Sequence, residues 1–285
     1  MQVHKAVITA AAPNQNTLPL QQLVDRNGET KTALQLIVEE TLAAGIDEIC
    51  VVIQPGDQEA YEQAAGAQLA NLQFVEQPEP LGYADAIYRA KSFVASEPFL
   101  HLVGDHLYLS SSEIPCAKQL IKIANEFECS VSAVQSTREN KLPYFGIVSG
   151  PHLPRRDDLY EIEAVVEKPT PTYAEQELVT PGLRAGHYLG FFGMHVLTAD
   201  VMDLIEPLLT DRCCEKPALS DALAMLMTRQ RYLAFQLQGS RYNLGVTYGL
   251  LIAQLAIGLS GRDRDRILTE MVELLAIRPE GSVAR

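Results

Sequence analysis

The chain has 285 residues, 47% of them hydrophobic and 21% charged, the balance of an ordinary globular protein with room for one large domain and a modest appendage. A formal net charge of −13 excludes non-specific binding to nucleic acid or to an anionic membrane, although a local positive pocket for a nucleotide is compatible with it. Five cysteines without C-x-x-C pairing or zinc spacing, and no signal peptide before Lys5, predict reduced thiols and a cytoplasmic location. The apolar runs at 188–197 and 249–259 are too short to span a bilayer.

The first element expected is a buried strand, Ala6 to Thr9, which runs into the small-residue loop Ala10-Ala-Ala-Pro-Asn-Gln-Asn-Thr-Leu-Pro19. A helical stripe at Leu34, Ile37, Val38, Thr41 and Leu42 predicts a helix from Lys31 to Ala44, with Gly45 as its stop. Strands at 48–53, 72–75 and 99–103 alternate with helices at 57–65 and 84–94. A helix opened by Pro115 and a strand at 129–135 complete this half. Such alternation predicts an α/β fold, a doubly wound and mainly parallel sheet.

From Lys141 the rhythm changes. Strands at 144–149, 159–168 and 186–196 have no long helix between them, so a β-rich insertion is expected at about 141–198. Helices at 199–209, 220–229 and 246–259 follow, with a strand at 232–238 between the last two. One domain is thus expected over 1–260, with a charged helix and a loose tail over 261–285. The apolar 246–259 helix and the 262–277 helix together permit a homo-oligomer.

Several residues carry chemistry by position. Ligands of open α/β sheets bind outside the carboxyl ends of the strands, where the Ala10–Ala12 loop lies. Asp105 directly follows a buried strand and projects from the same edge. Gly82 stands at a helix start after Gln77. Lys168 closes a strand, where an ammonium serves as a point-charge clamp for a phosphate.

The loop resembles the opening of the sugar-1-phosphate nucleotidyltransferases, most closely the bacterial UTP–glucose-1-phosphate uridylyltransferases, whose pattern is A-G-x-G-T-R-x-x-P. Ala11 and Pro19 match it. Ala12 and Asn14 stand for the glycines, Gln15 for the Thr and Asn16 for the Arg. The Val165-Val-Glu-Lys-Pro169 stretch resembles the family's V-x-E-K-P. Gly146 in Tyr144-Phe-Gly-Ile-Val148 resembles its Y-G-x-V, and Ser220-Asp-Ala-Leu223, by itself an N-cap, its L-T-D-A-I. The resemblance implies UTP and glucose 1-phosphate as partners, UDP-glucose and pyrophosphate as products, and Mg²⁺ as cofactor. It implies a nucleotide site at Ala10, Ala11, Ala12, Gln77 and Gly82, with Gln77 on the base edge. It implies a sugar-phosphate site at Gly146, Glu167 and Lys168, a metal site at Asp105 and Asn243, and catalytic roles for Asp105 and Lys168.

Asn243 stands where the family has a second metal Asp, and no Lys or Arg occurs between Lys5 and Arg26, although a triphosphate should lie there. Arg26 and Lys31 are candidates to replace the lost cations. The departures leave two readings open, an impaired uridylyltransferase and an inactive relative that binds a nucleotide sugar or sugar phosphate in a regulatory role. A metal-dependent glycosyltransferase ranks lower because Asp105-His-Leu107 is not D-x-D. A dehydrogenase is excluded by the absence of G-x-G-x-x-G after the first strand.

Overall fold

The computed structural model describes residues 1–210 and 216–276. Cys213, Cys214 and the expected tail from Pro279 lie outside the described residues. β1 (Lys5–Thr9) is buried at every position after Lys5 and apolar from Ala6 to Ile8, as a strand covered on both faces must be. A small antiparallel hairpin, β2 (Gln22–Val24) and β3 (Thr30–Thr32), leads into α1 (Ala33–Ala43). Thr32 opens α1 with a capping box: its Oγ1 accepts from the Gln35 N–H at 3.1 Å, and Gln35 Oε1 accepts from the Thr32 N–H at 2.9 Å.

The parallel half continues through β4 (Glu48–Ile53), α2 (Gln58–Ala65) and β5 (Leu72–Glu76). The helix expected at 84–94 is two short helices, α3 (Tyr83–Tyr88) and α4 (Lys91–Val94). β6 (Phe99–Val103), β7 (His106–Ser110), α5 (Cys116–Phe127) and β8 (Ser130–Arg138) follow. The strand expected at 159–168 is broken into β10 (Leu159–Glu161) and β11 (Ala164–Glu167), because the chain leaves one neighbour for another: the Ile162 N–H donates to Tyr232 O and the Glu163 N–H to Ser149 O. β9 (Gly146–Ser149) precedes them. α6 (Pro171–Glu177), β12 (His187–Leu197), α7 (Asp200–Thr210), α8 (Leu219–Arg229), β13 (Tyr232–Gln236), β14 (Gly239–Asn243), α9 (Gly249–Leu259) and α10 (Arg264–Ala276) complete the chain.

The long sheet runs β10-β13-β8-β12-β6-β1-β4-β5. β1 is hydrogen-bonded in parallel to β4 on one side and β6 on the other. The chain runs from β1 outward through β4 to β5 and then returns to β6 on the other side of β1, so the strand order reverses at β1 and a crevice opens at its carboxyl end. The β-rich stretch at about 141–198 is continuous with this sheet. β12 pairs antiparallel with both β6 and β8, and only β9 and β11 lie off the path. Side chains alternate across β1: Ala6 and Ile8 pack with α1 and α5 on one face, while Val7 packs with α3, α7 and α8 on the other. None of the described helices is long and apolar enough to cross a membrane. α9 and α10 leave Leu251, Ile252, Val272, Leu274 and Leu275 exposed.

The centre of the sheet holds a polar thread. The ring of His101 lies between Val7 O, 3.0 Å from Nδ1, and the Tyr83 hydroxyl, 2.6 Å from Nε2. It stacks at 5.8 Å on the ring of His195, which in turn meets Ser132, and Ser132 meets the Tyr232 hydroxyl. Burial pushes His101 down to about 4 and His195 well below the usual imidazole range. The unfolded chain takes up protons near the ordinary value of 6.5, while the folded histidines refuse them until much lower pH. Stability therefore falls as pH drops from about 6.5 toward 4. Two such groups give a slope of about 2.7 kcal/mol per pH unit inside that window. Urea unfolding at about pH 7 and about pH 5 is expected to show this loss, and equal stability at both would contradict neutral, buried histidines.

Candidate functional site

Beyond β1, the Ala10 N–H donates to Val52 O at 2.8 Å, and Ala10 and Ala11 are buried while Ala12 is exposed. The loop turns at Asn14, whose φ of 64° lies in the left-handed region that asparagine tolerates better than other side chains; Ala12 does not adopt it. The Tyr61 hydroxyl fastens the loop by donating to Asn16 O at 2.6 Å. Asn16 itself donates from Nδ2 to Asp57 Oδ2 at 2.7 Å, which commits its amide to α2's start.

The loop is one wall of a cleft of about 860 Å³. Ala10, Ala11, Ala12, Gln77, Gly82, Asp105, Glu167, Lys168 and Asn243 all line it, so the structure brings together nine of the ten residues singled out in the sequence. Gly146 is the tenth. It is buried, and it stands beside the cleft rather than on its surface.

Gln77 is only 5% exposed. Its Nε2 donates to Asp85 Oδ2 at 2.8 Å and to Gly82 O at 3.1 Å, and Arg89 clamps Asp85 with bonds of 2.7 and 3.2 Å. A carboxylate accepts only, so it dictates which end of the amide it receives and leaves Gln77 Oε1 as the group available to the cleft. Gly82 is required twice over. Its φ is 111°, and a Cβ there would stand 2.8 Å from Pro217 O.

Asp105 and Asn243 arrive together because β14 pairs antiparallel with β7, which sets Asn243 opposite His106, and the Leu244 N–H donates to Asp105 O at 2.8 Å. Asn243 Oδ1 accepts from the Gly245 N–H at 2.7 Å. Burial pushes the Asp105 carboxyl up, but the His106 ring, 2.7 Å from Oδ1, outweighs this and holds it below the usual range. Burial, together with the nearby carboxylates of Asp105 and Glu167, drives the Tyr83 phenol upward, so it stays protonated at the cleft wall. No group of three or more His, Cys, Asp or Glu fit to hold a metal occurs among the described residues.

Glu167 sits opposite Gly146 in the β9–β11 register, and the Ser220 hydroxyl donates to its Oε2. Ser220 therefore does not cap α8, as its sequence suggested. The first turn of that helix is closed by Asp221, whose Oδ2 accepts from the Ala218 N–H at 2.8 Å. A Cβ at Gly146 would stand 2.9 Å from both Glu167 Oε2 and Ser220 Oγ and 2.7 Å from the Phe191 ring. Lys168, half exposed, holds its Nζ 3.5 Å from Glu167 Oε1 on a backbone with φ of 46°. A lysine kept in a sparsely populated conformation is a form of strain that gathers at functional sites.

The candidate replacement cations are elsewhere. Lys31 pairs with Asp25 at 2.9 Å and Glu39 at 2.8 Å, and Arg26 reaches Ser110 O at 3.4 Å. Among the described residues the lysines that line the cleft are Lys168 and Lys216, which share it with the carboxylates of Asp105 and Glu167. Lys216 and Tyr83 carry no motif or periodicity, and only the folded chain singles them out.

A profile of the nucleotidyl transferase family matches residues 18–252. The chain belongs to that family. A UTP–glucose-1-phosphate uridylyltransferase of Streptococcus pyogenes is 28% identical to this nucleotidyl transferase over 276 residues, covering 87% of this chain and 86% of the relative. The namesake from Streptococcus pneumoniae serotype 4 is 28% identical, covering 87% and 88%. Among solved structures, a UDP-glucose pyrophosphorylase complexed with UDP-glucose superposes with a TM-score of 0.72 at 22% identity, over 90% of this chain and 98% of the other. The UDP-glucose pyrophosphorylase of Acinetobacter baumannii gives 0.73 at 24%, over 96% and 100%. The mixed, mostly parallel sheet with flanking helices is thus the fold of these proteins.

In this nucleotidyl transferase, Gly146→Ala is expected to force Glu167 and Ser220 apart. Overpacking of this kind costs about 1–3 kcal/mol. Thermal melting and calorimetric titration with glucose 1-phosphate check it: a lowered melting point with weakened sugar-phosphate binding is expected, and unchanged binding would detach Gly146 from the site.

Proposed function

We propose that the cleft binds a uridine nucleotide and glucose 1-phosphate and that the protein catalyses, slowly, the uridylyl transfer that yields UDP-glucose and pyrophosphate. The reading rests above all on the convergence in one cleft of the Ala10–Ala12 loop, the Gln77–Gly82 stretch, Asp105 and the Glu167–Lys168 pair. The names of the streptococcal relatives support it.

The reaction is a displacement at the α-phosphorus by a phosphate oxygen of the sugar phosphate, so the protein's part is positioning and charge neutralisation. Lys168 is the clamp for that phosphate. Glu167, steadied by Ser220, accepts from sugar hydroxyls. Gln77, with its amide nitrogen committed to Asp85, offers an acceptor that suits the N3–H of uracil or thymine and disfavours cytosine, whose N3 is itself an acceptor. The apolar faces of α9 and α10 support self-association, and the buried thiols of Cys50, Cys116 and Cys129 accord with a reducing cytoplasm.

Mg²⁺ would be held by Asp105 and Asn243. One charged and one neutral oxygen fit a hard cation that takes its remaining ligands from phosphates and water. Bound there, it would supply neutralisation of phosphate charge.

Low turnover follows from charge. A single cation aimed at the transferring phosphoryl group is worth about 10³–10⁵ in rate. Here the loop carries none, Asn16 is turned to Asp57, and Lys31 is spoken for by Asp25 and Glu39. The two cleft lysines suit a diphosphate better than the more highly charged triphosphate. The same observation favours the second reading, a binding protein for UDP-glucose with a regulatory role.

Pyrophosphate release from UTP, glucose 1-phosphate and Mg²⁺ separates the two. Turnover below about 10⁻² s⁻¹, far under the common enzyme value of about 10 s⁻¹, is expected, with loss of the residue in Lys168→Ala. No release, with calorimetric binding of UDP-glucose, selects the binding protein. Binding of neither ligand would sink both.

Asn243→Asp is a sharper probe. The new carboxylate is isosteric and keeps the acceptor for the Gly245 N–H, but it adds charge beside Asp105. Melting temperature should become clearly Mg²⁺-dependent, and turnover should rise at least about tenfold, the equivalent of about 1.4 kcal/mol. Indifference of the variant to Mg²⁺ would place Asn243 outside the metal site.

A further inference from the structure

A second cavity, of about 610 Å³, adjoins the cleft and shares with it the wall formed by Tyr144, Asn243, Val246 and Thr247. Its charge is one-sided. Arg138, Lys141 and Arg241 line it, with His187, and among the described residues no Asp or Glu does. The chain as a whole carries a net charge of −13, so the cavity runs against its overall balance. None of the three cations enters an ion pair among the described residues.

Arg241 is half-buried, and its guanidinium lies 3.7 Å over the Phe145 ring with Phe192 6.0 Å away. Among the described residues the guanidinium makes one hydrogen bond, and it is long, 3.4 Å from Nη1 to Gly190 O. Stacking occupies the flat face of a guanidinium and leaves the edge N–H groups, which match a phosphate or carboxylate in pairs. A cation removed from water without a counter-charge is costly, and an anion delivered to that edge removes the cost. Arg138, the last residue of β8, and Lys141, on the stretch that links β8 to β9, are both exposed.

We propose that this cavity is a second anion-binding site, which takes the phosphate or carboxylate of a sugar-sized molecule, with Arg241 as its anchor and Arg138 and Lys141 as its rim. The anion has two sources. It is the far group of a doubly anionic sugar whose other phosphate meets Lys168, or it belongs to a separate effector that sits beside an occupied cleft. The first source rests on the proposed reading of the cleft; the second does not.

The test uses calorimetry on the full chain at low ionic strength with glucose 1,6-bisphosphate, glucose 1-phosphate and UDP-glucose as probes. The exposed double variant Arg138→Gln/Lys141→Gln should weaken the bisphosphate at least about tenfold, and added salt should weaken it in the wild type. UDP-glucose should bind the variant within about twofold of the wild type. Arg241→Met, which keeps an apolar stem against Phe145, should weaken the bisphosphate further. Competition between bisphosphate and UDP-glucose assigns the far-group source, and simultaneous binding assigns the effector; both support the site. Bisphosphate binding that is absent from the wild type, or equal in wild type and double variant, overturns it. If UDP-glucose fails to bind while the contrast between variants persists, the cleft reading falls and the anion site stands.

Discussion

Everything in the molecule depends on where β1 lies. Its parallel hydrogen bonds run to β4 on one side and to β6 on the other; the chain goes out through β4 to β5 and comes back to β6, so the strand order reverses at β1 and its carboxyl end stays uncovered. That end must remain open. The backbone of Ala10–Ala12, the carboxylate of Asp105 and the turn at Gly82 meet there because each is the continuation of a strand or the start of a helix aimed at the same gap. The two apolar layers on either face of the sheet make the gap rigid, since a close-packed interior yields little.

Charge decides what such a gap does. Among the described residues two lysines and two carboxylates line the cleft, and the loop that would lie against a triphosphate brings no cation of its own. The hydrogen bonds of Asn16 to Asp57 and the ion pairs of Lys31 show that polar groups near the loop have been spent on holding the scaffold. Supporting contacts for binding are more complete. Asp85 fixes the amide of Gln77, Ser220 fixes the carboxylate of Glu167, and Gly146 makes room for that pair. On the function proposed above, these contacts hold a ligand in one orientation. Beside it lies a cavity with the opposite electrostatic character, cationic without counter-charges, and the two meet along β14.

The elements legible in the sequence were those with a strong local signal. Ala6–Thr9, Glu48–Ile53 and Phe99–Val103 are mainly apolar runs and became β1, β4 and β6; the stripe from Leu34 to Leu42 became α1. Elements stabilised by distant partners were not legible. β14 is a polar stretch, Gly239-Ser-Arg-Tyr-Asn243, that is a strand only because β7 supplies its hydrogen bonds. The 159–168 stretch reads as one strand by composition, yet it divides where its backbone passes from β13 to β9.

The sequence alone determined the strand–helix order, the family likeness and the residue types at the cleft, because periodicity, glycine placement and short motifs are local properties of a chain. Tertiary structure decided what those residues do with their polar atoms. Only the folded chain turns Gln77 Nε2 to Asp85, Ser220 to Glu167 and Asn16 away to Asp57, and only it gathers Arg138, Lys141 and Arg241 around one cavity. Hydrogen bonds and charge pairings between residues far apart in sequence are set by the packing of the sheet, and no one-dimensional pattern encodes them.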